Sequence, residues 1–376
     1  MRVLHVITGL FTGGAEGQLM RLVGRRSVDG ERVVSLVRGG ANAAALRDDG
    51  HDVVELDGVR GRPGLAPVVG VARQISDFRP DFVVSWLYHA NLYALSAMAL
   101  IGGRPRHQLI WNIRGSALRM ENHGRSIRAA SRLGAWLSPR PAAIVVNSES
   151  GQRDHAALGY RPRRWAVIHN GVDTVEFAPD AEDRARMRAE LGLRPDDVVI
   201  LFAGRADPQK DFSTLLAAIE MVPACRVLCA GRGTEALPDH PALIRLGQRL
   251  DMPSIYRAAD LLVSSSAYGE GFANVVAEAM ASGVPVVATS VGDIHAIVGQ
   301  HGFVVPPRDP RALAAAIRTC LALDPAARGN LADLARQRIF ERFSFDRNVG
   351  AYRDLYAALG SAGAGKPLLS GLDHIG

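Results

Sequence analysis

Short runs rich in Val, Ile and Leu alternate along the chain with Ala-, Leu- and Arg-rich stretches whose apolar positions recur at helical spacing. This is the pattern of parallel strands covered on both faces by helices. In the first half, the runs at 3–8, 33–37, 82–85, 109–112, 143–147 and 166–169 predict the strands of one doubly wound domain. An Arg- and Glu-rich helical stretch at 181–191 is followed by runs at 198–203, 226–230, 260–264 and 284–289, which predict a second. Pro179 and Pro195 flank polar sequence that suits a connection between them. The expected organisation is an α/β chain with a domain at 1–170, a domain at 171–344, and an amphipathic helix at about 345–360 that can cross back to the first. A flexible tail is expected at 361–376, where Gly363, Gly365 and Pro367 fall. Open α/β sheets bind ligands beyond the carboxyl ends of their strands, so two such domains facing across a cleft can hold two substrates.

Composition fits this division. A chain of 376 residues, 48% of them apolar, can bury a core in each of two domains. No apolar run reaches the roughly 18 residues of a membrane-spanning helix, and the opening residues lack the pattern of a secretory signal. A cytoplasmic location is expected. Cys225, Cys229 and Cys320 have neither disulfide nor zinc-site spacing and are expected to be small buried apolar residues.

Charge changes the picture more. Residues 1–170 carry 23 Arg against 13 Asp and Glu, an excess of +10, while the remainder is −4. An Arg-rich composition explains the choice of Arg over Lys, since Lys210 and Lys366 are the chain's two lysines, but not the uneven distribution. The basic half therefore suggests an anionic partner on that side, whether a phosphorylated acceptor or a membrane surface. Nucleic acid is not expected, because no basic stretch is interleaved with stacking aromatics as a single-strand platform requires. The stretch 119–140 interleaves Arg125, Arg128, Arg132 and Arg140 with Ile127, Leu133, Trp136 and Leu137. Such a helix can lie on an anionic membrane; the reading preferred from the pattern is a solvated basic face over a buried apolar one.

The most specific chemistry lies in Glu270-Gly271-Phe272-Ala273-Asn274, followed by a helical stretch at 275–282, then Gly283 and Pro285: a loop, a helix and its stop. One carboxylate precedes the helix and another, Glu278, lies well inside it, so they can touch different parts of one elongated ligand. A carboxylate accepts two hydrogen bonds from a vicinal diol, and free amides at a helix start favour a phosphate. Sugar, diphosphate and ribose fit that order. The stretch resembles the signature of the family 4 retaining glycosyltransferases, two glutamates with seven residues between them within Glu-Gly-Phe-x-Asn-x-x-x-Glu-Ala-Met-Ala-x-Gly-x-Pro. The resemblance extends over residues 1 to about 358. It implies a GT-B fold of two Rossmann-like domains, with Glu270 on hydroxyls of the donor sugar and Glu278 on the ribose.

A second cluster, Gly204-Arg205 and Lys210-Asp211-Phe212, follows the run 198–203, where a ligand of an open sheet is expected. Cations there can stabilise a departing nucleoside diphosphate, and the resemblance assigns Arg205 and Lys210 to that task. The chain contains no Asp-x-Asp pair, and no metal or other cofactor is expected. After the first run, Gly13-Gly14-Ala15-Glu16 leads into a helix expected near Gly17; paired glycines let backbone amides approach a phosphate or sugar. The resemblance puts Gly13 and Gly14 on the phosphate and acceptor side. His89 follows Trp86-Leu87-Tyr88, and similar family stretches place it toward the acceptor or the reacting sugar. In Trp111-Asn112-Ile113-Arg114-Gly115-Ser116 family members often have His where this chain has Gly115, which shifts interest to Arg114. His169-Asn170-Gly171 resembles the family's interdomain segment, and its Asn-Gly reads as a turn.

The function so implied is metal-independent, retaining transfer of a hexose-type sugar from a nucleotide-diphosphate donor, a UDP-sugar foremost, to a lipid-linked, polysaccharide or small-molecule acceptor. The catalytic set is Arg205, Lys210, Glu270 and His89. Gly14, Arg205, Lys210, Glu270, Gly271, Phe272, Asn274 and Glu278 make the donor side, and Gly13, Gly14, His89 and Arg114 the acceptor side. The alternatives are a non-catalytic nucleotide-sugar-binding protein and a GT-B epimerase or phosphorylase.

Overall fold

Thirteen strands among the described residues form two parallel sheets. The computed structural model describes residues 1–11, 13–25, 28–59, 64–102, 108–115, 124–222 and 224–362. The first sheet contains β1 (Arg2–Ile7), β2 (Gly30–Ser35), β3 (Asp52–Glu55), β4 (Phe82–Trp86), β5 (Gln108–Ile113), β6 (Ala143–Val146) and β7 (Trp165–Val167), in the order β3-β2-β1-β4-β5-β6-β7. The second contains β8 (Val199–Ala203), β9 (Arg226–Ala230), β10 (Leu243–Gly247), β11 (Leu261–Ser264), β12 (Val286–Thr289) and β13 (Phe303–Val305), in the order β10-β9-β8-β11-β12-β13. Central strands such as β4, β8 and β11 are buried along their whole length, which is why they read as continuous apolar runs rather than alternating ones.

β3, β10 and β13 were not foreseen. All three are sheet edges, β3 in the first sheet and β10 and β13 at opposite edges of the second, so each keeps partly exposed positions and carries a weaker apolar signal.

The chain divides into two units. The first comprises 1–147, 151–168 and the chain from 348 onward; the second comprises 148–150 and 169–347. The last helix, Phe345–Ala362, therefore belongs to the first unit from Asn348 on. There Tyr356 stacks on Phe82 at 4.9 Å between ring centroids, and Tyr352 lies 6.4 Å from Trp86. The helix runs through Ala362, past the expected start of a tail at 361; positions 363–376 lie outside the described residues. In the second unit, one apolar cluster including Leu201, Val276 and Ile339 and another including Phe202, Leu215 and Ile317 pack the sheet. Cys229 and Cys320 are buried as expected, whereas Cys225 is only partly so. No helix among the described residues is long and apolar enough to cross a membrane.

In both sheets the order runs outward in one direction from the first strand of the sheet and in the other from the fourth. Each therefore has a topological switch point, between β1 and β4 in the first and between β8 and β11 in the second, where the crevice beyond the strand ends is the expected ligand position.

Candidate functional site

The second unit's switch point brings together residues from the ends of β8 and β11. Asp207 folds the loop after β8: one carboxylate oxygen accepts from the amides of Gln209 (3.1 Å) and Lys210 (3.2 Å), the other from Arg205 Nε (2.8 Å). Asp211 then adopts a left-handed conformation (φ 47°) and caps the helix Phe212–Ile219 through the Thr214 amide. That turn leaves Lys210 pointing back over the strand ends, its carbonyl accepting from Ser265 Oγ at 2.8 Å.

From the β11 side comes Glu270. Lys210 Nζ and Glu270 Oε1 are 2.5 Å apart, and Ser266 Oγ donates to the same oxygen at 2.7 Å. Ser266 is fixed in turn by Thr289 Oγ1, which donates to its carbonyl at 2.6 Å. Both members of the ion pair are largely buried, with side chains 15% and 10% exposed. The Arg205 guanidinium, by contrast, is 53% exposed and paired with Asp207.

The helix after Glu270 is Asn274–Ala281, starting one residue earlier than expected. Asn274 Oδ1 accepts from Asn170 Nδ2 at 2.7 Å, and Glu278 Oε2 accepts from Tyr256 Oη at 2.9 Å. Phe272 is buried against the His169 and Phe343 rings, at 5.8 and 5.3 Å, in a cluster where those two rings also meet. Its role is to anchor the loop, while the Gly271 carbonyl accepts from the Asp293 amide.

Two features that support this loop from the segment after β12 carry no signal in the sequence. Asp293 accepts from the amides of Glu149 (2.7 Å) and Ser150 (2.9 Å) and lies 3.7 Å from His169 Nε2. Burial would raise its pKa, but these hydrogen bonds hold it below the ordinary carboxylate value. Gly292 has φ 64°, and a Cβ there would stand 2.3 Å from the Glu270 carbonyl oxygen, so only glycine lets the two backbones approach.

The first unit's switch point is built differently. After β1, Gly13 is extended and caps the helix Gly14–Gly24, which begins at Gly14 rather than near Gly17. After β4, Leu87 takes φ 74°, ψ 161°, a strained conformation for a residue with a side chain. It turns the chain into the helix Tyr88–Leu100, placing half-buried His89 in its first turn; burial lowers the His89 pKa. Tyr88 Oη and His155 Nε2 are 2.7 Å apart, and His155 Nδ1 lies 2.6 Å from the Gly151 carbonyl. A carbonyl can only accept, so Nδ1 carries the proton and Nε2 accepts from Tyr88.

Arg114 follows β5 with its guanidinium 4.8 Å above the Trp86 ring and donates to Tyr352 Oη, which also accepts from Asn112 Nδ2 at 2.5 Å. Burial lowers the Arg114 pKa against the opposing effect of Tyr352. Trp86 Nε1 donates to the buried His5 Nδ1 at 3.2 Å. Arg114 thus ties the strand ends to the last helix. Sequence reasoning could not find Tyr352, since nothing local marks one aromatic of that helix above another.

Two parallel doubly wound sheets in one chain, each with a switch point, define the GT-B architecture. Residues 12–176 match the family described as Glycosyltransferase Family 4, and residues 197–322 that described as Glycosyl transferases group 1. Both matches are to families of glycosyltransferases, and together they span most of the chain. D-inositol 3-phosphate glycosyltransferase of Mycobacterium marinum is 34% identical over 243 residues, covering 59% of this chain and 52% of the relative. Its Mycobacterium bovis counterpart is 34% identical over 227 residues, 55% of this chain and 47% of the relative. The chain thus spans about half the length of the curated relatives it matches. Among solved structures, Anabaena HepE in complex with UDP-glucose superposes with a TM-score of 0.82 at 23% identity, over 95% of this chain and 100% of that one. Sucrose-phosphate synthase from Thermosynechococcus elongatus gives 0.79 at 19%, over 96% and 100%.

Proposed function

We propose that this protein is a retaining hexosyltransferase that takes its sugar from a nucleotide-diphosphate donor, a UDP-sugar foremost, without needing a metal ion. The observation that carries this reading is the Lys210–Glu270 pair, 2.5 Å apart, at the second unit's switch point, with the exposed Arg205 on the same loop. The two glycosyltransferase family matches and the UDP-glucose held by the HepE structure of like fold support it.

In this reading the donor diphosphate lies against Arg205, Lys210 and the amides that open the helix at Asn274. Their charge does what a metal ion does elsewhere, stabilising the leaving group as its negative charge grows. Glu270, held by Lys210 and Ser266, has its second oxygen for hydroxyls of the sugar, and Glu278 accepts from the ribose diol. The bond from the anomeric carbon to the diphosphate oxygen breaks and a bond to the acceptor oxygen forms on the same face. The acceptor proton passes to the departing diphosphate.

The acceptor side is assigned to the first unit's switch point, to Gly13, Gly14, His89 and Arg114, with Arg114 acting by holding the strand ends. The +10 excess of residues 1–170 favours an acceptor that is phosphorylated or lipid-linked, or a growing polysaccharide.

The test is release of nucleoside diphosphate from a panel of nucleotide sugars in EDTA, by wild type and by Glu270→Ala, Lys210→Ala and Arg205→Ala. One donor should be slowly hydrolysed, unaffected by EDTA, and the Lys210 and Glu270 variants should lose on the order of 10²–10³ in rate. A donor that binds but is never cleaved under any acceptor makes the protein a nucleotide-sugar binder; sugar inversion without an acceptor makes it an epimerase.

A further inference from the structure

The helix Arg125–Leu137 of the first unit is packed the opposite way from what its composition predicts. Its buried residues are small: Ala130, Ser131 and Gly134. The reason is Tyr160, whose hydroxyl donates to the Ser131 carbonyl at 3.0 Å and would stand 2.6 Å from a Cβ on Gly134. With its small residues turned inward, the helix presents its largest side chain to solvent. Trp136 is 75% exposed and Leu133 46% exposed, so the expectation that they lie beneath a solvated face is overturned. Trp86 and Trp111 are fully buried, which makes an exposed tryptophan unusual in this chain as well as costly in general.

Arg125, Arg128, Arg132 and Arg140 flank these two residues at spacings of three, four and eight, which places them along one stripe of the helix and its end. The helix contains no Asp or Glu, and among the described residues none of the four arginines forms an ion pair. An aromatic and a leucine at the centre, with unpaired cations to either side, suit an interface that is apolar below and anionic at its surface. A soluble polyanion would satisfy the arginines but leave Leu133 without a purpose.

We propose that this face docks on an anionic lipid surface, with Trp136 and Leu133 entering the boundary between headgroups and acyl chains and the arginines contacting lipid phosphates. The proposal is independent of the reaction assigned above, because none of these residues belongs to either switch point.

The experiment is co-sedimentation of the full chain with vesicles of phosphatidylcholine alone or mixed with phosphatidylglycerol, together with tryptophan emission. Wild type should bind the mixed vesicles, not the neutral ones, with a blue shift in emission. Trp136→Ser should abolish the shift and weaken binding roughly tenfold, and Arg128→Gln or Arg132→Gln should each weaken it about fivefold. Circular dichroism checks that the variants remain folded, as the exposed positions of Arg132 and Trp136 and the half-buried one of Arg128 lead one to expect. No binding to the mixed vesicles overturns the proposal, as does binding that Trp136→Ser leaves unchanged. Release from vesicles by heparin, with equal heparin affinity in wild type and Trp136→Ser, would instead assign the face to a soluble polyanion and overturn it too.

Discussion

The two switch points share a topology and differ in how they are made rigid. In the second unit the order rests on charge: Lys210 and Glu270 hold each other in a largely buried pair, with Ser266 and Asp207 as supports. In the first it rests on a strained backbone at Leu87 and on hydrogen bonds centred on Tyr352 and His155, with His89 kept toward its neutral form by burial. A site that must meet a diphosphate needs fixed charge, and fixed charge off the water must be paired until the ligand arrives. The first unit's switch point holds the Arg114 guanidinium by stacking it on Trp86 and bonding it to Tyr352, and relies otherwise on neutral hydrogen-bonding groups. The same sheet order is therefore made rigid in two ways, by what stands at the strand ends.

The largest effect should come from breaking the ion pair. Lys210→Met leaves the Glu270 carboxylate buried without its partner and should lower stability by on the order of 3 kcal/mol. Adding Glu270→Gln removes the stranded charge while keeping an acceptor for Ser266, so the double variant should recover most of that loss. Donor cleavage should not recover. Denaturant unfolding beside the nucleoside diphosphate assay separates the two; recovery of both would make the pair a structural tie rather than a donor site.

A smaller effect is expected on the other side. Tyr352→Phe removes the oxygen that accepts from Asn112 and Arg114, leaving two buried donors short of a partner, at a cost of about 1–3 kcal/mol. Its effect should fall on the first unit, leaving donor binding to the second unit unchanged. Hydrogen exchange resolved by peptide would show the loss in β4, β5 and the last helix. Equal loss across both units would contradict the division into two units.

What the sequence made visible follows the range of the interactions. Lys210 and Glu270 sit in loops that follow strands and Glu278 in the helix after Glu270, all of it local sequence, so these positions could be read directly. Tyr352 meets Asn112 across 240 residues and Asp293 meets Glu149 across 144, and no periodicity marks such pairs. Gly292 looks like any turn glycine until the Glu270 carbonyl is seen beside it. In the helix Arg125–Leu137 the period was legible but its phase was not. Apolar spacing points the large residues inward, and only the Tyr160 hydroxyl explains why Ala130, Ser131 and Gly134 go there instead.

The smallest effect distinguishes the units by acid. Burial lowers the pKa of His155, whose neutral Nε2 accepts from Tyr88, and also that of His89. Below the ordinary imidazole value near 6.5 the unfolded chain binds protons that the folded first unit refuses, so its stability falls as pH drops through that range. In the second unit the shifted acids are carboxylates. Asp293 is held below the usual value of 3.8, so its contribution is present above that value and is lost only as pH falls through its lower folded pKa. Between about pH 6 and pH 4.5 the first unit should therefore lose exchange protection while the second keeps it. His155→Gln should blunt that loss more than His89→Gln, because His155 is the more deeply buried and its acceptor nitrogen is engaged. Simultaneous loss in both units over this range would mean that their acid sensitivity has a common source, and that the contrast between an ion-paired and a hydrogen-bonded switch point does not extend to stability.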